Sequence, residues 1–295
     1  MGSEILITGA TGVAGLEVIR RFGAMGIKVR AAIHRQKGAL ERLYPGIIEP
    51  VRFDFADQKL VDTALEGIKT VLLITPAVPE QAEYVRIFLE RARLSGVSHI
   101  VRLSMFGTDK VPLIKYMLWH HEAEQIVKES GLDFTILRPN MFMQNFLTRM
   151  QPTGGLIYLP LGKGAVSYFD AKDFAAAAYD ILLAPRAHKG NIYTFTGSQG
   201  LSMFQTTSLI SEVIGTHVEY ADISEETARH VLEGSAINGL LIDATIEHYA
   251  FQRVGLASEV THDYERVTGN AAGLFVDFVR DNADLFRELV EHEEE

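Results

Sequence analysis

The chain of 295 residues has no cysteine. That absence excludes disulfides, thiol nucleophiles and thiolate metal sites together. No apolar run reaches the roughly 18 residues that a membrane-crossing helix requires. A basic leader with a cleavage site is also missing: Met1-Gly2-Ser3 passes directly into a strand-like run, so export is not expected. Gly2 does not signal myristoylation, because Leu6 stands where Ser or Thr is needed. Surplus positive charge is lacking too. Against 38 Asp and Glu there are 28 Lys and Arg, and the net charge of −10 has no basic stripe to offset it, which argues against a nucleic-acid partner. No repeat or low-complexity segment is present. What remains is 47% hydrophobic and 22% charged, enough for one large domain or a domain with a lobe. A soluble, cytoplasmic protein is expected, with no nucleic-acid and no membrane partner.

The first half alternates β-branched runs with amphipathic stretches, the pattern of repeated strand-helix units on a parallel sheet. Strands are predicted at Ile5–Thr8, Val29–Ile33, Val51–Phe53, Thr70–Ile74, His99–Leu103 and Phe134–Leu137, with a late strand at Ile192–Phe195. Helices are predicted over Val13–Met25, Lys59–Leu65, Glu80–Ser95 and Leu113–Ser130, with Gly26, Gly67, Gly96 and Gly131 as their C-caps. After Pro139 the alternation stops. Met141–Met150 reads as an apolar helix, Gly154–Gly164 as turns, and everything from Leu201 onward as helical. The expected fold is α/β: a Rossmann-type doubly wound parallel sheet with a smaller, mostly helical C-terminal lobe. Residues 1–140 and 171–200 are assigned to the dinucleotide-binding core, and 141–170 and 201–295 to the substrate lobe.

The opening strand runs into Gly9-Ala-Thr-Gly12-Val-Ala-Gly15 and then a helix. Gly9 permits the turn, Gly12 lets backbone approach a pyrophosphate, and Gly15 allows helix to pack on strand, with Thr11 and Val13 completing the loop. An ordinary glycine turn would not need that strand-loop-helix context. NAD sites place an acid about 20 residues past the glycines. Residues 28–37, KVRAAIHRQK, contain none. Arg35, helped by His34 or Lys37, suits a 2′-phosphate, so the expected cofactor is NADP(H). Asp54 is a candidate for the adenine side, and Thr75, Pro76 and Pro139 for the nicotinamide side. Asp54 and Thr75-Pro76 read equally well as turn or cap residues.

The chain resembles the NmrA-like atypical short-chain dehydrogenase/reductases nearly end to end. The resemblance rests on LITGATGVAG, HIVRLSMFG, HHEAEQIVKESGLDFTILRPNMFMQNF and YTFTGSQGLS, and later on IGTHVEYADIS and YERVTGNAAGLFVDFV. Within that family it is most similar to the NADP(H)-dependent quinone oxidoreductase and triphenylmethane reductase branch, whose His-x-x-x-Glu run is matched by His120 and Glu124. The isoflavone-reductase-like branch keeps lysine where His120 stands. The chain departs from its nearest branch at Leu-Arg-Pro139-Asn140, where that branch continues Leu-Arg-Asn-Gly.

Tyr116 and His120 share a helix face. Many nicotinamide-dependent reductases place Tyr-x-x-x-Lys there, the ammonium lowering the tyrosine pKa and holding the nicotinamide ribose. A histidine supplies little steady charge at neutral pH. Two readings stand: Tyr116, His120 and the hydroxyl partner Ser104 are catalytic, or Tyr116 and Trp119 pack while His120 holds the cofactor. His120, His121 and Glu124 make a poor metal set, because His121 points about 100° away, and no metal is expected. Weak acid-base apparatus suits an acceptor that delocalises the incoming charge, such as a quinone, dye, enone or iminium. Its expected lining is Phe106, Met141, Phe142, Met143, Phe146, Tyr168 and Phe169, with Asn140 and Gln144 to orient a polar group. The alternative function is a dinucleotide-sensing regulator that acts through a protein partner without turnover. A homodimer is the candidate assembly.

Overall fold

The computed structural model describes residues 3–34, 44–235 and 238–291. Its strands are β1 (Ile5–Ile7), β2 (Val29–Ile33), β3 (Ile48–Arg52), β4 (Thr70–Leu73), β5 (His99–Leu103), β6 (Asp133–Pro139), β7 (Leu156–Leu159), β8 (Ala165–Val166), β9 (Ile192–Phe195), β10 (Leu201–Ser202) and β11 (Glu219–Asp222). The α-helices are α1 (Val13–Ala24), α2 (Gln58–Leu65), α3 (Gln81–Leu94), α4 (Lys115–Glu129), α5 (Ala171–Leu183), α6 (Met203–Ile214), α7 (Glu225–Glu233), α8 (Gly239–Arg253), α9 (Asp263–Thr268), α10 (Phe275–Asp281) and α11 (Ala283–Glu291).

Seven strands form one parallel sheet in the order β3-β2-β1-β4-β5-β6-β9. The chain winds outward from β1 to β3, then crosses back to β4, so the order reverses between β1 and β4. Ligands bind outside the strand ends at such a reversal. Strands covered on both faces are buried throughout and largely apolar, as β4 is. On one face Val18 and Phe22 of α1 meet Ala177 and Ile181 of α5; on the other, Val61, Phe88 and Val127 of α2, α3 and α4 pack together. β3 starts earlier than the apolar pattern predicts and runs through Pro50, which pairs with Ala31. The missing N–H is tolerated because β3 is an edge strand.

The second half differs more from its sequence pattern. No helix forms over Met141–Met150; Phe142 instead bridges to Phe169 in extended conformation, and a 3₁₀ turn covers Met143–Leu147. The turn-rich Gly154–Gly164 contains β7, which pairs in parallel with β11 from the span expected to be helical. Each has four residues, and Tyr158 is exposed between buried Ile157 and Leu159. That is too little alternation to stand out in sequence. A lobe core of Phe146, Tyr168, Phe275, Phe278 and Phe286 lies under this pair.

The C-terminal span does not stay with that core. At the free edge of β9, Asp263 Oδ2 accepts the Thr194 N–H at 2.8 Å and Thr196 Oγ1 accepts the Thr261 N–H at 2.8 Å. Tyr264 of α9 then packs against Phe169 and Phe195, at ring separations of 5.5 and 6.3 Å. Among the described residues no helix is long and apolar enough to cross a membrane.

Candidate active site

Gly9 has φ +60°, and a Cβ there would sit 2.8 Å from Ile74 Cγ2 at the end of β4. A Cβ on Gly15 would lie 2.2 Å from the Gly9 carbonyl oxygen, so α1 starts in direct backbone contact with the loop. Gly12 donates its N–H to Gly9 O at 3.0 Å and N-caps α1 without any side-chain cap. The first turn carries no acid. Its N–H groups therefore remain for an anion, and the glycine cradle fits a pyrophosphate. Thr11 and Val13 are exposed at this loop.

At the end of β2, His34 Nδ1 lies 3.3 Å from Phe53 O and 3.6 Å from Asp54 Oδ2. Asp54 Oδ1 accepts the Ala56 N–H at 2.9 Å, so this carboxylate closes a turn. Arg35 and Lys37, expected at the 2′-phosphate, lie outside the described residues.

Beyond the ends of β4, β5 and β6, Thr75, Ser104 and Pro139 line a cavity of about 720 Å³. Pro76 is exposed beside it and is not part of the wall. Thr75 Oγ1 accepts from Arg102 Nη2 at 2.8 Å, and Arg102 Nη1 donates to Leu73 O at 3.0 Å. Arg102 is fully buried, and its Nε has no partner. Burial pushes its pKa down to about 9, against the pull of the Glu124 charge. No motif marks this residue, although an arginine inside the apolar run HIVRL is a signal for it.

Under the cavity Glu124 is completely buried. It accepts from Ser104 Oγ at 2.6 Å, Thr108 Oγ1 at 2.9 Å, and Arg138 Nε and Nη2 at 2.8 and 2.7 Å. Arg138 also donates to Asp109 at 2.8 Å. Burial alone would raise the Glu124 pKa; the hydrogen bonds from Arg138 and Ser104 overcome it and hold the carboxyl at about 2. The Ser104 proton is thereby committed to Glu124.

Tyr116 and His120 both line the cavity. The Tyr116 hydroxyl is 3.1 Å from Thr245 Oγ1 and 3.4 Å from Leu241 O, and its ring meets Trp119 edge-on at 5.4 Å. Burial, aided by the Arg102 charge, lowers the His120 pKa to about 3. His120 is neutral at physiological pH, more completely so than the sequence alone implies, and its Nδ1 lacks a partner. His121 turns away to Thr108 O at 2.9 Å.

Phe106, Phe142, Met141 and Asn140 lie in the cavity wall. Asn140 does not orient a ligand group, however: its amide nitrogen donates to Ser167 Oγ and Ala257 O, and its oxygen accepts the Met141 N–H. Gln144 is spent on Asp170 and the Ala171 N–H. Met143, Phe146 and Tyr168 do not line the cavity as their sequence pattern predicts. They belong to the lobe core, where Phe146 packs on Tyr168 and Phe275 at 5.0 and 4.9 Å. Phe169 is buried against Phe195. The extended entry into the 3₁₀ turn rotates these side chains away from where a helix would have put them.

Much of the outer wall comes from residues that no motif singles out: Arg149, then Val231 and Leu232 of α7, and then Leu241, Thr245, His248 and Tyr249 on one face of α8. Their spacing is that of a helical stripe and was the available signal. Burial lowers the His248 pKa to about 4 and raises that of Tyr249. Apart from the exposed Arg149, the described wall presents neutral imidazoles, phenols and apolar groups, without a carboxylic acid.

A family model described as "NmrA-like family" matches residues 1–262. The chain is 32% identical over 284 residues to the NAD(P)H azoreductase of Xenophilus azovorans, covering 96% of this chain and 99% of that one. It is 28% identical over 287 residues to the (4-alkanoyl-5-oxo-2,5-dihydrofuran-3-yl)methyl phosphate reductase of Streptomyces griseus, covering 96% and 99%. An NADPH-dependent quinone oxidoreductase from Escherichia coli, solved with NADPH, superposes with a TM-score of 0.81 at 23% identity over 94% of this chain and 99% of that one, a likeness of fold.

Proposed function

The chain belongs to the NmrA-like family, and from that premise we propose that it is an NADP(H)-dependent oxidoreductase that reduces a small conjugated or aromatic acceptor of the quinone, dye, enone or iminium type. Support for the class comes from the reductase relatives, one of which is named for azo reduction and uses NAD(P)H.

NADPH, when bound, supplies the hydride. The uncapped N-terminus of α1 and the Gly9–Gly15 loop would hold its pyrophosphate, and His34 and Arg35 its 2′-phosphate side. Thr75 and Pro139 flank the strand-end side of the cavity, where the nicotinamide belongs. His120 offers a ring nitrogen to a ribose hydroxyl but, being neutral, no charge to assist the Tyr116 hydroxyl. Ser104, its proton given to Glu124, presents acceptor lone pairs only.

The observation that carries the reading is the cavity itself, which has the strand ends at its floor and, among the described residues, no carboxylic acid and no protonated histidine there to donate a proton. Protonation of a simple alkoxide needs a positioned acid, whereas a delocalised anion can take its proton from water. The test is NADPH oxidation with quinones, azo and triarylmethane dyes and enones, set against simple ketones. Conjugated acceptors should exceed simple ketones by roughly 10²-fold or more in kcat/KM. Equal rates on simple ketones would overturn the acceptor class. Tight NADP(H) binding with no turnover on any acceptor would instead make the chain a dinucleotide-sensing regulator.

A further inference from the structure

Among the described residues the cavity is lined by one ionic group. No described aspartate or glutamate reaches its wall, although the chain carries 38 acids. Its two histidines, His120 and His248, are neutral. What remains is Arg149, which follows the 3₁₀ turn and is exposed, while Ser104 at the strand ends is buried. That contrast puts Arg149 at the mouth of the cavity and the reducing end at its floor.

Most other arginines of this half of the chain are neutralised, as Arg229 is by Asp243, Arg253 by Asp222 and Arg287 by Asp284; Arg186 is not, but it does not line the cavity. Arg149 has no such partner among the described residues. Its charge acts on the Tyr249 phenol, which lines the same cavity and likewise has no hydrogen-bond partner among the described residues. An uncompensated guanidinium beside a free phenolic O–H presents convergent donors to one oxyanion. An ammonium or other cationic ligand would meet repulsion there.

We propose that the acceptor carries an anionic substituent (carboxylate, sulfonate or phosphate) that docks on Arg149 and Tyr249 at the cavity mouth while its conjugated end lies at the Thr75–Ser104–Pro139 floor. This rests on the reductase reading and narrows its substrate class. A chain of net charge −10 repels anions at long range, so the local cation is what admits them.

Two measurements keep the two readings apart. The first needs no turnover. Trp119 is the only tryptophan and packs on Tyr116 in the cavity wall, so its fluorescence reports occupancy. Naphthalene-2-sulfonate, 2-naphthyl phosphate and neutral 2-naphthol are titrated against the NADP(H)-loaded protein. Both anions should bind on the order of tenfold more tightly than the neutral probe, the size expected of one partly exposed charge-assisted contact. A larger gain for the phosphate than for the sulfonate would identify a dianion as the preferred group. The second measurement is the ratio of kcat/KM for 1,4-naphthoquinone-2-sulfonate to that for 1,4-naphthoquinone, which cancels any general loss of active protein. The ratio should fall to about one in Arg149→Met, invert in Arg149→Glu, survive in Arg149→Lys and shrink in Tyr249→Phe. An anion preference in binding without turnover of either quinone would leave the docking site standing and remove the reductase reading. Equal binding of anions and neutral probe, an unchanged ratio in Arg149→Met, or a loss of NADPH affinity in that variant would overturn the docking site.

Discussion

Glu124 shows how a residue can be visible in sequence while its work is not. It stands in a recognisable His-x-x-x-Glu run, yet its partners are Ser104 and Thr108 from upstream loops and Arg138 from β6. Its carboxyl is held at about 2, below an ordinary value near 4.3. A carboxyl depressed in the folded state stabilises fully above its unfolded pKa, and that stability drains away as pH falls from about 4.3 toward 2. The difference corresponds to about 3 kcal/mol. Glu124→Gln should therefore cost roughly 3–5 kcal/mol at pH 7 by leaving Arg138 buried with only Asp109. Urea midpoints of variant and wild type should converge as pH is lowered toward 2; a gap constant with pH would refute the assignment. Tyr116 and His120 were equally legible as types, but the destination of the tyrosine proton depends on Thr245 and Leu241, more than a hundred positions away. Tyr116→Phe should lower quinone turnover by far less than the 10²–10⁴-fold of a lost general acid. His120→Ala should raise KM for NADPH more than it lowers kcat, and a pH profile of kcat that loses an ionisation in Tyr116→Phe would count against both.

The elements that sequence captured best are those whose pattern is long and whose loops are tight. The Gly9–Gly15 loop needed only its spacing and flanks, because each glycine answers a backbone approach rather than a distant side chain. Gly15→Ala would press a methyl to 2.2 Å from a carbonyl oxygen. Backbone cannot swing aside as a side chain can, so α1 must shift off the loop. The expected cost is about 1–3 kcal/mol of stability, seen as a lowered Tm, together with loss of dinucleotide binding by calorimetry. Retained affinity would mean that α1 does not hold the phosphates. Where elements are short, the sequence failed. β7 and β11 stabilise each other by pairing, and neither carries enough residues to announce itself. The stretch 141–150 is helical in composition, but its conformation is decided by Phe142 bridging to Phe169, a tertiary contact that overrides propensity.

At the scale of the molecule, the doubly wound order followed from alternation alone, while the cavity did not, because its outer wall is supplied by α8. That helix is pinned to α4: Glu247 accepts both the backbone N–H and the ammonium of Lys115. The cofactor half and the cavity wall are thus tied, and a ligand of one should steady the other. NADPH at 100 times its Kd should add about 2.7 kcal/mol to unfolding. NADH at equal concentration should add markedly less if a 2′-phosphate is recognised, and Arg35→Glu should erase that difference. Equal stabilisation by both cofactors in the wild type would withdraw the preference for NADP(H).

The return of the chain along β9 has a consequence for anyone who would recombine relatives to change substrate range. A cut near residue 200 looks natural, since the sheet's last strand ends at Phe195 and α6 begins at Met203. Such a graft would carry away Asp263 and Tyr264 with the foreign lobe. The Thr194 N–H would be left without its acceptor, the rings of Phe169 and Phe195 without their cover, and a bare strand edge would be offered to the next chimera in solution. Chimeras that keep the host's residues 261–268 should be recovered as discrete species on size exclusion, and those that exchange them should run as aggregates. In this architecture the crossover belongs at two places along the chain, one near residue 200 and the other just before Thr261.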